Sequence, residues 1–134
     1  MNGAQRRARL DASRLYVCTP GRPDLDEFLD TILAAGVDVV QLREDKAMEA
    51  RPLLELAARF RAACDRRRAL FIVNDRPDVA LAAGADGVHL GQDDVSPEIA
   101  RRIMGRDAII GRSTTSWSGP VSRRRRNRGG REPG

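Results

Sequence analysis

Leu70-Phe71-Ile72-Val73-Asn74-Asp75-Arg76-Pro77 is an apolar run of strand type that stops in polar residues. One short helical stretch later, Asp86-Gly87-Val88-His89-Leu90-Gly91-Gln92-Asp93-Asp94 repeats the design. Between them, Pro77–Ala83 reads as a short helix that Gly84 ends. A buried strand is held by apolar side chains, so acids, amides and bases gathered at its C-terminal end need another reason to be there. In parallel α/β sheets, that end is where ligands bind.

The same unit extends in both directions. Upstream, Leu15–Thr19 reads as a first strand stopped by Pro20-Gly21. Asp24 and Glu27 have capping-box spacing. Leu25, Phe28, Leu29, Ile32 and Leu33 follow one helix face, and Gly36 is placed to end that helix. Val37–Leu42 is the second strand, and it runs into Arg43-Glu44-Asp45-Lys46. Glu49–Cys64 follows as a helix with Leu53, Leu56, Phe60 and Cys64 along one side. Downstream, Ser96 caps a helix beginning at Pro97, with Ile99, Ile103 and Met104 expected to face inward. Ala108–Gly111 is the fifth strand, leading into Arg112-Ser113-Thr114. Strands alternating with helices at this spacing argue for βα units and a parallel sheet.

The 134 residues allow one small domain with a core. No apolar run approaches a membrane span, and Met1–Leu15 has no signal-peptide core, so a cytoplasmic protein is expected. Cys18 and Cys64 lack metal-ligand spacing and read as two buried thiols rather than a disulfide. The net charge of +5 is unevenly placed: seven arginines and one glutamate lie from Arg112 onward, whereas the preceding chain is nearly balanced. The body therefore carries no nucleic-acid signature. After Ser116 no apolar period survives, so residues 1–116 are expected to form a partial barrel and 117–134 a disordered arginine-rich tail. Aromatic residues are not interleaved in that tail, which argues against nucleic-acid binding. Lys46 is the single lysine beside 23 arginines.

Each cluster admits two readings. Asp75 and Asp94, just past neighbouring strands, suit a Mg2+ held jointly with substrate phosphates, or else cap a turn. Gln41, Arg43, Lys46 and Asn74 supply amide and cationic donors for phosphate, or else form a solvated strand end. His89 reads as a hydrogen-bonded core residue or one behind the site, more than as a catalyst. Ser113 and Thr114 offer hydroxyls to a phosphate, but no nucleophile elbow surrounds Ser113.

In order, Gln41–Lys46, Asn74–Arg76, His89–Asp94 and Ile110–Thr115 resemble the Q-L-R-[DE]-K, N-D-R, H-L-G-Q-x-D and I-G-x-S-T-H motifs of the thiamine-phosphate synthase family. The resemblance covers Leu15 to Ser116. It implies a TIM (β/α)8 barrel of which about five βα units are present. It also implies condensation of 4-amino-2-methyl-5-hydroxymethylpyrimidine diphosphate with a thiazole phosphate, giving thiamine monophosphate and pyrophosphate. By that pattern Gln41, Arg43, Lys46, Asn74 and Ser113 contact substrate, Ser113 and Lys46 take part in the chemistry, and Asp75 and Asp94 hold Mg2+. Asp45 stands where the family places its lysine, with Lys46 one residue late, and Thr115 stands where it places a histidine. The family's later T-x-T-K and G-G-I segments do not occur in this sequence. A chain truncated after the fifth strand, with a tail translated in a shifted frame, is expected from that. Open edges would then favour self-association, and the alternative to an enzyme is a noncatalytic half-barrel without turnover.

Overall fold

The computed structural model describes residues 1–113. In chain order the elements are α1 (Gly3–Ala12), β1 (Tyr16–Thr19), α2 (Leu25–Ala34), β2 (Val39–Leu42), α3 (Ala50–Arg67), β3 (Leu70–Asn74), α4 (Pro77–Ala82), β4 (Gly87–Leu90), α5 (Pro97–Met104) and β5 (Ile109–Arg112). The five strands form one sheet in the order β1-β2-β3-β4-β5, parallel at every step. Every crossover therefore moves the same way. A doubly wound sheet reverses its strand order at a switch point, and a barrel wall does not. The described residues form the expected barrel-type α/β fold, with five parallel strands and four complete βα units. Residues 114–134, which include Thr114, Thr115 and the tail expected from 117, lie outside them.

Two apolar layers flank the sheet. The larger joins α2 to α5 with the helix-facing strand residues Val40, Leu42, Phe71, Val73, Val88 and Leu90. Phe60 of α3 stacks on Phe71 of β3 with ring centroids 5.7 Å apart. The smaller is the inward layer, Val39, Leu70 and Ile72, closed from below by Leu10 of α1. Gly87 lets β4 and β5 approach: a Cβ there would lie 2.2 Å from the Ile109 carbonyl oxygen.

Several local expectations needed correction. The stretch 3–12 is a helix, α1, with an Asn2/Gln5 capping box. Its arginines hold it under the sheet. Arg6 Nε donates to Asp86 Oδ1 at 2.9 Å, and Arg9 Nη1 donates to the Arg68 carbonyl at 2.7 Å. Asp86 is buried and also accepts from Arg61 Nη1 (3.1 Å) and the Phe71 N–H (2.9 Å), so one carboxylate ties α1, α3 and β3 to the entry of β4. Asp24 makes no side-chain cap; its carboxylate is taken by Arg22 instead. Ile99 and Ile103 of α5 face outward, 43% and 38% exposed, because Ala100 and Met104 provide the contact with the core. Cys18 is exposed because β1 is an edge strand, whereas Cys64 is buried; both thiols are free. The glycine caps hold: Gly36 (φ +110°) and Gly84 (φ +70°) end α2 and α4.

Candidate functional site

The inward face becomes polar towards the C-terminal ends of the strands. Strand register aligns Tyr16, Val39 and Leu70 in a lower row. Cys18, Gln41, Ile72, Gly87 and Ile109 form a middle row, and Asn74, His89 and Gly111 form the top row. Alternation in a strand sends every second side chain to the same face, so Gln41 and Asn74 reach the site from the same surface that carries the inward apolar layer.

These polar side chains form a connected set. The buried Gln41 donates from Nε2 to the Tyr16 hydroxyl at 2.8 Å. Arg43, just past β2, donates from Nη1 to Gln41 Oε1 (3.5 Å) and Asn74 Oδ1 (3.4 Å). On the far side, His89 Nε2 and Ser113 Oγ lie 2.9 Å apart. Burial, reinforced by the Arg43 charge, pushes the His89 imidazole below its usual pKa, so the ring is neutral near pH 7. The Ser113 N–H donates to the Leu90 carbonyl at 2.9 Å, which extends the β4–β5 ladder to the serine.

The two acids follow directly. Asp75 is the first residue beyond β3 and takes a left-handed backbone, φ +72°. Its N–H donates to the His89 carbonyl at 2.8 Å. Asp94 is held by the β4–α5 loop, its Oδ2 accepting the Gly91 N–H at 2.7 Å. Lys46 Nζ lies 3.1 Å from Asp94 Oδ1 and 3.9 Å from Asp75 Oδ2. Asp45 does not occupy that place: its Oδ1 accepts from the Ala47 N–H within the loop. The loop turn thus carries Lys46, one residue late in the motif, over both carboxylates. A small solvent-open pocket lies among Lys46, Asn74, Asp75, Arg76 and Asp94, with apolar Leu53 and Val73 behind them.

Those apolar neighbours act on the acids. Burial first, then a hydrogen bond with Asp94 and repulsion from its charge, raise Asp75 from 3.8 to about 6. Burial works in the same direction on Asp94 but is outweighed by hydrogen bonds from Asp75, Gly91 and Lys46, which hold it below its usual value. The hydrogen bond to Asp94, with the Asp75 charge, raises Lys46. Below about pH 6, where the pair holds one proton, that proton sits on Asp75 and Asp94 carries the charge beside the Lys46 ammonium; at higher pH both acids ionise.

The two carboxylates suit a divalent cation on the chemistry of the donor set. Two acids close enough to share a proton, one of them costly to ionise, are the arrangement a cation relieves. No group of three or more His, Cys, Asp or Glu side chains suited to a metal occurs among the described residues. Two carboxylates are nevertheless the number Mg2+ takes when phosphate oxygens and water complete its shell.

Gln41, Arg43, Lys46, Asn74, Asp75, Asp94 and Ser113 thus gather at one end of the sheet, while Thr114 lies outside the described residues. Tyr16 and Glu44 were missed as contributors. Tyr16 fixes the Gln41 amide, and Glu44 Oε2 accepts the Gly21 N–H at 2.8 Å, bracing the β1–α2 loop against the β2–α3 loop. The phase of Tyr16, two residues before Cys18 and so on the same strand face, was the available signal.

Comparison with known proteins gives a consistent picture. A family model described as thiamine monophosphate synthase matches residues 15–126. The chain is 53% identical over 113 residues to a thiamine-phosphate synthase of Acidothermus cellulolyticus, covering 82% of this chain and 53% of that protein. It is 52% identical over 113 residues to a thiamine-phosphate synthase of Thermobifida fusca, covering 82% of this chain and 51% of that one. Among solved structures, a thiamine phosphate pyrophosphorylase from Pyrococcus furiosus superposes with TM-score 0.67 at 37% identity, over 75% of this chain and 50% of that one. The chain spans about half the length of these relatives.

Proposed function

The chain belongs to the thiamine monophosphate synthase family, and on that premise we propose that its strand-end site binds a pyrimidine methyl diphosphate with Mg2+ and joins it to a thiazole phosphate. The bond between the pyrimidine methylene carbon and the diphosphate oxygen breaks. The thiazole ring nitrogen supplies the electron pair for the new C–N bond, and pyrophosphate leaves. The observation that carries this reading is the convergence of Lys46, Asp75 and Asp94 within 3.9 Å, with Asn74 and Arg43 beside them.

Such a departure needs charge neutralised on the leaving group more than it needs a strong base. Asp75 and Asp94 would hold Mg2+, which when bound offsets the charge of the leaving pyrophosphate. Lys46 adds a point charge at the rim, and Arg43 presents a planar set of N–H donors to diphosphate oxygens. The Gln41 amide, oriented by Tyr16, and the Asn74 amide fix the substrate from the inward face. Ser113 offers a hydroxyl to an anionic oxygen. No helix among the described residues is long and apolar enough to cross a membrane, and a cytoplasmic biosynthetic enzyme accords with the family.

The test is pyrophosphate release by the full 134-residue chain given both substrates and Mg2+. The reading expects release that Asp75→Ala and Asp94→Ala each reduce at least about 100-fold, as loss of a key electrostatic contact does. Binding of the pyrimidine diphosphate without release would make the chain a noncatalytic half-barrel.

A further inference from the structure

His89 is the one histidine of the chain, and nothing in the reaction proposed above uses it. It lies on the inward face of β4, in register with Asn74 on one side and Gly111 on the other. Its Nε2 is 2.9 Å from Ser113 Oγ. Its other edge rests on β5: a Cβ added to Gly111 would lie 3.0 Å from His89 Nδ1, closer than ordinary contact. Gly111 therefore leaves room for the ring, and Ser113, fixed by its N–H bond to Leu90, receives the other nitrogen.

The two ring nitrogens have unequal surroundings. Nε2 has the serine as partner, whereas Nδ1 has no hydrogen-bond partner among the described residues. Nδ1 faces the Gly111 methylene, which offers no acceptor, whereas Nε2 faces the Ser113 oxygen, so the single proton of a neutral imidazole is placed on Nε2. With Nε2–H donating, Ser113 Oγ is the acceptor, and the hydroxyl proton is turned away from the histidine. That proton is then available for an anionic oxygen at the strand ends.

We propose that His89 is the positioning residue of Ser113: it donates Nε2–H to Ser113 Oγ so that the serine hydroxyl points its proton at a diphosphate oxygen, and Gly111 seats the ring. The inference rests on the anion-binding reading of the site and deepens it. A serine free to rotate would donate to the histidine or to water as readily as to the ligand. The imidazole removes that choice.

Two measurements on the full chain test this. With one histidine, a long-range proton–nitrogen NMR spectrum of 15N-labelled protein reports the tautomer without assignment. Protonated Nε2 and bare Nδ1, with a changed Nε2 resonance in Ser113→Ala, are expected. A neutral ring protonated at Nδ1, or no response to Ser113→Ala, would overturn the proposal. The second measurement is binding of inorganic pyrophosphate with Mg2+ by calorimetry. His89→Leu should weaken it about tenfold, the scale of one hydrogen bond to a charged ligand, while His89→Gln, which keeps an N–H donor, should stay within about threefold of the parent. Equal binding by parent and His89→Leu would overturn the proposal. A parent that binds no pyrophosphate sinks the anion site itself, and the tautomer then still decides the histidine's role.

Discussion

Asp75→Asn should stabilise the ligand-free chain at alkaline pH while removing its response to Mg2+. In the parent, burial and Asp94 raise the Asp75 carboxyl from 3.8 to about 6. Below about pH 3 the group is protonated in folded and unfolded chains alike and contributes nothing, and at about pH 4 its contribution is still small. As pH rises towards 6, the unfolded chain releases a proton that the folded chain keeps, so the folded state binds more protons and stability falls. Above about pH 7 the whole loss is present. Its ceiling is roughly 3 kcal/mol, at about 1.36 kcal/mol per pH unit. Partial exposure and the nearby Lys46 ammonium reduce this to about 1 kcal/mol. Asparagine accepts the left-handed backbone at this position, φ +72°, more readily than most residues, and its amide can donate to Asp94, so the swap adds little strain. Urea unfolding of parent and Asp75→Asn at about pH 4 and pH 8 measures the difference. The expected result is near equality in acid and about 1 kcal/mol in favour of the variant in base, with Mg2+ stabilising only the parent. A variant less stable than the parent at pH 8 would refute the account of Asp75 as an acid that burial and Asp94 make costly to ionise.

Other expectations follow from the fold. Asp86→Ala leaves Arg6, Arg61 and the Phe71 N–H without their shared acceptor and should cost about 3 kcal/mol or more by urea unfolding. Gly87→Ala forces a methyl against the Ile109 carbonyl and should cost about 2 kcal/mol by the same measurement. In the native chain one thiol, Cys18, should react with a disulfide reagent; Cys64, which burial pushes up to about 12, should react only on unfolding. Among the described residues β1 and β5 are the sheet edges, so sedimentation should show association that grows with concentration.

The parts of this fold that sequence revealed were those where one residue's chemistry decides the outcome. Pro97 after Ser96, and Gly36 and Gly84 at helix ends, mark their positions because few residues substitute for them there. The strand-end acids and amides were visible because they interrupt apolar runs. What escaped depended on partners distant in sequence. Helix α1 has low apolar content and is held by Arg6 and Arg9, whose acceptors lie far along the chain at Asp86 and Arg68. Ile99 and Ile103 have helical spacing on α5, yet the face that packs is set by Ala100 and by how α5 lies on α4 and β5. Tyr16 and Cys18 sit in an apolar strand, but only strand order shows that β1 is an edge. The reach of Lys46 from the β2–α3 loop to Asp94 could be read only from the turn of that loop.

The central claim is that the strand ends hold a diphosphate through a cation shared by Asp75 and Asp94. Calorimetric titration of the full chain with the pyrimidine diphosphate, with and without Mg2+, tests it most directly. The account predicts binding that requires Mg2+ and is lost in both Asp75→Ala and Asp94→Ala. Binding of equal strength without Mg2+, or retained in either variant, would contradict it.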